Sequence, residues 1–245
     1  GTFDDCQAMV KTAFLDAELI ANKNLTSANS INVARWLPQM FYFFFAYKQL
    51  KSKQKDLIFS VPSGNFGNIC AGLMAYKLGL PVKQFIAATN INDIVPNYLE
   101  TGIYTPKPSK QTISNAMDVG DPSNFVRILE IFKNDDSKLK EVLSSYSFTD
   151  KETQIAMKEI KAKHNYIADP HGAVGYLGLK KYDIDNNAFG IFLETAHPVK
   201  FLNVVEPIIN ETINLPKQIK KVIDKEKVSI NISIYEELKH FLIDS

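Results

Sequence analysis

The sequence predicts an α/β fold built on an open, mostly parallel sheet with helices on both faces. Three observations carry that prediction. Asp56-Leu-Ile-Phe-Ser-Val-Pro62 is a short apolar run with β-branched residues, the pattern of a strand buried on both faces. Ile69 to Gly79 is apolar on most sides and stops at glycine, as a buried helix does. Pro81-Val-Lys-Gln-Phe-Ile-Ala-Ala88 is a second strand, and a strand–helix–strand unit pairs its strands in parallel through a crossover.

Composition bounds the rest. With 245 residues, 45% of them hydrophobic and 22% charged, the chain has a globular composition and room for one large domain or somewhat more. A net charge of +1 offers no basic field for nucleic acid and no acidic field for cationic partners. Cys6 and Cys70 are far apart and lack paired histidines, so no metal site is expected and a reduced, cytoplasmic setting is. No apolar run reaches membrane-spanning length, and no signal peptide is expected.

Taken in order, Gly1 to Asp5 reads as a strand end entering a helix, with Thr2 or Asp4 as its cap. Cys6, Met9, Val10, Ala13, Phe14 and Ala17 give the stretch Asp5 to Ala21 one apolar side. Such a helix packs on a sheet, yet nothing upstream supplies strands, so a domain truncated at its N-terminus is expected. Asn24 to Arg35 is rich in capping residues and leads into a helix through Leu50 that begins near Arg35 to Leu37, where Pro38 fits the first turn. Ser30, Asn32 and Arg35 then cluster at a helix N-terminus, either as an anion site or as caps beside a surface arginine. The run Met40 to Phe45 reads as buried on nearly all sides.

Between the first strand and its helix lies Ser63-Gly-Asn-Phe-Gly-Asn68. Strand, glycine-rich turn and helix present free backbone N–H groups to an anion. Gly64 and Gly67 admit a phosphate to the backbone and can supply positive φ, while Asn65 and Asn68 add neutral donors. The spacing is neither a P-loop nor a dinucleotide fingerprint, and a plain tight turn is the competing reading.

Thr89 to Asp93 is a polar turn at a strand's C-terminal end, followed by a short helix, Ile94 to Glu100, that stops at Gly102. Ile103 to Pro122 is a long loop containing Ser114 to Gly120, of a length that functional loops have. Phe125 to Phe132 and Lys138 to Leu143 read as helical, Asp150 caps a helix through His164, and Pro170-His171-Gly172 opens another through Tyr182. Phe189 to Glu194 is a further strand, ending in Thr195-Ala-His197-Pro198, with a helix from Pro198 to Asn210. Thr195 offers a neutral hydroxyl, and His197 is either a titrating group or a turn residue. The lysine-rich tail from Leu215 is a solvated face.

Six segments together resemble one family over essentially the whole chain. They are Gly1-Thr-Phe-Asp-Asp-Cys-Gln7, Asn29-Ser-Ile-Asn-Val-Ala-Arg35, Val61-Pro-Ser-Gly-Asn-Phe-Gly-Asn68, Phe85 to Asp93, Ser114-Asn-Ala-Met-Asp118 and Thr195-Ala-His-Pro-Val-Lys-Phe201. The resemblance is to the threonine synthases, pyridoxal-phosphate enzymes of fold type II. It implies that Gly64, Asn65, Phe66, Gly67 and Asn68 hold the phosphate of pyridoxal 5′-phosphate and that Thr195 meets its pyridine nitrogen. It implies further that Ser30, Asn32 and Arg35 grip the phosphate of O-phosphohomoserine, which reacts with water to give L-threonine and phosphate. The chain departs from the family in one respect. The lysine that forms the Schiff base is expected upstream of Gly1, so no catalytic residue is assigned within this chain and the chain alone is expected to be inactive. Residues 1–50 are expected to be a remnant of a smaller cofactor-side domain and residues 51–245 a large α/β domain, with the N-terminal part of the same enzyme as partner. Two alternatives remain at this stage: a lysine-less paralogue that binds phosphorylated amino acids, and another fold type II lyase such as a threonine dehydratase.

Overall fold

The computed structural model describes residues 1, 3–51 and 55–244, which fall into two compact units, Ala28–Glu211 and Gly1–Ser27 with Thr212–Ser245. In the first unit a short 3-10 turn, Val33–Arg35, leads into α3 (Trp36–Leu50), after which come β1 (Asp56–Pro62), α4 (Gly67–Lys77), β2 (Gln84–Thr89) and α5 (Ile94–Thr101). A 3-10 turn at Asn115–Met117 precedes α6 (Phe125–Ile131), α7 (Asp136–Val142), β3 (Leu143–Ser147), α8 (Asp150–His164), α9 (Pro170–Tyr182) and β4 (Ala188–Phe192). The expected helix after Pro198 is a 3-10 turn, Pro198–Phe201, running into α10 (Leu202–Ile209).

The described strands form one all-parallel sheet in the order β3-β2-β1-β4. The chain adds β2 and β3 on one side of β1 and then returns to place β4 on the other. The crevice beyond the C-terminal ends of β1 and β4 is therefore the switch point at which open α/β sheets hold ligands. Alternation along β1 divides the core. Leu57, Phe59 and Val61 face the cluster that contains α3 and α4 residues, where Phe43 meets Phe59 edge-on at 5.0 Å and Phe85 at 5.8 Å. Ser60 and Ile58 face α9, which comes close because Gly178 has no side chain to keep it off Ser60, Ile86 and Ala88.

Several expectations are corrected. Met40 and Phe43 are buried, but Phe41, Tyr42 and Phe45 are more than half exposed, so α3 buries one stripe. The β2 ladder begins at Gln84, opposite Ile58, and Pro81 lies outside it, having no N–H to donate. β3 has no counterpart among the expected elements, because Leu-Ser-Ser-Tyr-Ser carries neither an apolar run nor an alternation. α8 is capped by Thr149, not Asp150, through a capping box with Glu152.

In the second unit the expected single helix is two, α1 (Phe3–Leu15) and α2 (Ala17–Asn22). Asp16 breaks it: Oδ1 accepts the N–H groups of Glu18 and Leu19 and so caps α2. The Thr2 cap falls outside the described residues, and Asp4 sits inside the first turn of α1. The unit also holds α11 (Lys217–Lys220) and α12 (Tyr235–Asp244), and Tyr235 and Lys239 of α12 reach Oδ2 of Asp16 at 2.7 and 2.9 Å. Among the described residues no helix is long and apolar enough to cross a membrane.

Candidate functional site

The turn from β1 into α4 presents a row of backbone donors. The N–H groups of Gly64, Asn65 and Phe66 bond to no described residue, and those of Gly67 and Asn68 open α4, where no intrahelical acceptor exists. Phe66 caps the helix in the left-handed conformation, φ 62° and ψ 11°. For a residue with a Cβ this costs roughly 1–2 kcal/mol, offset here by a fully buried ring packed edge-on to Phe125 at 5.9 Å. A left-handed residue followed by a helical one turns successive N–H groups toward one point, the geometry of an anion nest.

Neither Gly64 nor Gly67 has a positive φ, contrary to one expected use of glycine. Both are required by close approach. A Cβ on Gly64 would lie 2.6 Å from the Cα of Met117, and one on Gly67 would lie 2.7 Å from the Cβ of Ser30. Protein, rather than open space, occupies the side from which a side chain would project.

One flank of the loop is held by Ser30, Asn124 and Arg127. The Ser30 hydroxyl accepts from Asn65 Nδ2 at 3.1 Å and from Asn124 Nδ2 at 3.2 Å, and donates to Asn29 Oδ1 at 3.3 Å. These three bonds use its full capacity. Asn65 Oδ1 accepts the backbone and hydroxyl protons of Ser123, and Asn68 Nδ2 donates to Pro62 O. Both asparagine amides therefore brace the loop. Arg127 donates to the carbonyls of Ser30 and Ile31 and to Asn124 Oδ1, over the face of Trp36. Asn32 accepts Ala34 N–H as a cap, while Arg35 is exposed and makes no ion pair among the described residues.

The other flank is the Asn115–Met117 turn. Asp118, buried enough that its pKa is raised despite bonds from Thr112 and Asn90, ties this turn to the end of β2. On the opposite side Ala116 N–H donates to His171 Nε2 at 3.2 Å, and His171 Nδ1 lies 2.6 Å from Asp169 Oδ1. His171 and Asp169 are both buried at the N-terminus of α9.

Thr195 is exposed three residues past the last paired residue of β4, beside the strand whose end carries Ser63. Its hydroxyl bonds to no described residue. His197 accepts Val199 N–H through Nδ1 and caps the following turn, which is the turn-residue reading. Between them and α9 stands Glu194, whose pKa is pushed up to about 8 by burial and by the Asp169 carboxylate. Its carboxyl fills the place a Cβ on Gly172 would take and accepts Asp169 N–H at 3.0 Å.

The sheet thus brings the Gly64–Asn68 loop and Thr195 to one edge, with Ser30 bonded directly to the loop. Asn124, Arg127, Asp118, Asp169, His171 and Glu194 escaped the sequence-based reading. Each bonds at least one partner tens of residues away, and only the His171-Gly172 helix start, the Ser114 to Asp118 segment and the strand end at Glu194 stood out locally. Chemically, the edge offers neutral N–H donors for a phosphate and a neutral hydroxyl one strand away.

Residues 1–188 match a family model described as pyridoxal-phosphate dependent enzyme, and residues 172–241 one described as threonine synthase, C-terminal. The threonine synthase of Buchnera aphidicola subsp. Acyrthosiphon pisum is 45% identical over 246 residues, covering 100% of this chain and 57% of that protein. The crystal structure of threonine synthase from Escherichia coli superposes with a TM-score of 0.93 at 45% identity, covering 100% of this chain and 57% of that one. A PLP-bound threonine synthase from Brucella melitensis superposes at 0.86 with 32% identity, covering 100% and 58%. The chain spans a little over half the length of these relatives.

Proposed function

The chain belongs to the family of pyridoxal-phosphate-dependent enzymes, and from that premise we propose that it forms the phosphate-holding half of a threonine synthase. The reaction is conversion of O-phospho-L-homoserine and water to L-threonine and phosphate. The observation that carries this reading is the row of N–H donors from Gly64 to Asn68 at the start of α4, unengaged by any described residue. Such a row fits a phosphate monoester, and a loop without acidic side chains adds no repulsion.

In this reading Gly64, Asn65, Phe66, Gly67 and Asn68 hold the phosphate of pyridoxal 5′-phosphate, and the Thr195 hydroxyl faces its ring nitrogen. A hydroxyl, unlike a carboxylate, does not favour a protonated ring. Bound there, the cofactor would supply the electron sink that a β,γ-replacement needs. The second phosphate, that of the substrate, belongs to the segment Ser30, Asn32 and Arg35. Arg35 brings an exposed guanidinium able to take two phosphate oxygens, and Ser30 and Asn32 shape the backbone that carries it. By the resemblance, the lysine that would carry the cofactor lies upstream of Gly1. Turnover is accordingly assigned to the protein that joins this chain to that segment, and none to these 245 residues alone.

Two measurements test this. Pyridoxal 5′-phosphate titrated into the isotopically labelled chain should shift the amide signals of Gly64 to Asn68. The chain joined to the upstream segment should release phosphate and threonine from O-phosphohomoserine in equal amounts. Turnover by the 245 residues alone would overturn the lysine assignment, and ammonia with a 2-oxo acid in place of threonine would mark a dehydratase.

A further inference from the structure

We propose that His171 is a positioning residue for the phosphate cradle, holding the Asn115–Met117 turn against Gly64 through a neutral imidazole. The inference rests on the cradle reading above. A backbone N–H only donates, so the bond from Ala116 makes Nε2 of His171 an acceptor. The single ring proton of the neutral imidazole then lies on Nδ1 and is donated to Asp169 Oδ1, 2.6 Å away.

Asp169 is itself immobilised. It is fully buried, it caps α9 by accepting the N–H of His171, and its own N–H donates to Glu194. Phe201 covers the imidazole at a ring separation of 4.9 Å. The ring is therefore a rigid strut from α9, which packs on β1, β2 and β4, to the 3-10 turn. The turn passes that restraint on. Ala116 O and Met117 Cα lie 3.0 and 2.6 Å from the place of a Cβ on Gly64. Asp118 restrains the far end of the turn through Thr112 and Asn90, so Ala116 is the point at which the α9 side controls it.

The same geometry removes the other role an aspartate–histidine pair could have. With Nε2 engaged by a backbone proton, the imidazole has no free lone pair to act as a base at the site. Histidine suits the strut because its rigid ring carries an acceptor and a donor on different edges. Glutamine can reproduce the acceptor with its amide oxygen, and leucine fills the volume with neither.

The test uses the isotopically labelled 245-residue chain and inorganic phosphate as the probe. Imidazole nitrogen shifts of His171 should report protonated Nδ1 and unprotonated Nε2, and the Ala116 amide should exchange slowly. Phosphate should move the Gly64 and Gly67 amide signals. His171→Leu should weaken that binding roughly five- to tenfold, the effect of one lost hydrogen bond, and His171→Gln should restore it to within about twofold. Equal phosphate affinity in His171→Leu and the unsubstituted chain, or a proton found on Nε2, overturns the proposal. Should the leucine variant fail to fold, the tautomer and the Ala116 exchange rate still decide it. No phosphate response in the unsubstituted chain would remove the cradle reading itself, an outcome distinct from a response that His171→Leu leaves unchanged.

Discussion

Gly64 and Met117 meet backbone to backbone: a Cβ added to Gly64 would stand 2.6 Å from the Met117 Cα and 3.0 Å from the Ala116 oxygen. Backbone cannot swing aside as the end of a flexible side chain can. Gly64→Ala must therefore lift either the loop or the turn, at a cost of about 1–3 kcal/mol for overpacking. Chemical denaturation should show that loss, and phosphate or pyridoxal 5′-phosphate should bind more weakly. An alanine variant with both properties unchanged would mean that the turn does not rest on the loop.

Arg127 should resist even conservative replacement. Its guanidinium spans two carbonyls, Ser30 O and Ile31 O, and also Asn124 Oδ1, three acceptors in different directions. An ammonium on a flexible stem cannot reproduce that fork. Arg127→Lys should cost about 2 kcal/mol, within the range for hydrogen bonds to charged groups. It should also loosen Ser30, which a higher exchange rate at the Ile31 amide would reveal. A lysine variant as stable as the parent would show that the three bonds contribute nothing net.

Much of this architecture was legible in the sequence, and the parts that were not share a physical cause. The limits of β1, Asp56 to Pro62, followed from a run of apolar residues, since a strand buried on both faces needs no other signal. The tight turn from β1 into α4 followed from Gly64, Asn65, Gly67 and Asn68, although the reason for the glycines differed from the expected one. It is contact with Met117 and Ser30, while the positive φ belongs to Phe66, a residue that no propensity scale would nominate. β3 was missed because pairing to β2, not its own serine-rich composition, makes it a strand. Arg127 and His171 were missed because the backbone groups they hold are distant in sequence, so nothing in local spacing separates them from surface charges or helix caps.

Glu194 gives the protein a pH dependence of known sign. Burial, followed by the Asp169 carboxylate, raises its pKa from an ordinary 4.5 to about 8. Between those values the folded state holds a proton that the unfolded state has lost, so stability falls as pH rises through that window. The contribution is fully present below about pH 4.5 and gone above about pH 8. Glu194→Gln keeps an oxygen for the Asp169 N–H and cannot ionise. Melting temperatures measured from pH 5 to 8.5 should thus decline less steeply in the glutamine variant. Parallel profiles for the two proteins would place the ionisation elsewhere.

The aromatic run on α3 separates core from surface within three residues. Phe43 is fully buried, edge-on to both Phe59 and Phe85, and Gly72 of α4 is small because a Cβ there would lie 2.6 Å from the Phe43 ring. Phe45, on the same helix, is 61% exposed. Phe43→Ala leaves a cavity among rings that cannot collapse into it and should cost about 3–5 kcal/mol. Phe45→Ala should change stability by no more than about 0.5 kcal/mol, as at other surface sites. Denaturant midpoints of the two variants make the comparison directly, because both substitutions remove the same atoms and change helix propensity by the same amount. If the two midpoints fell together, α3 would be buried on both sides, as its sequence alone suggests.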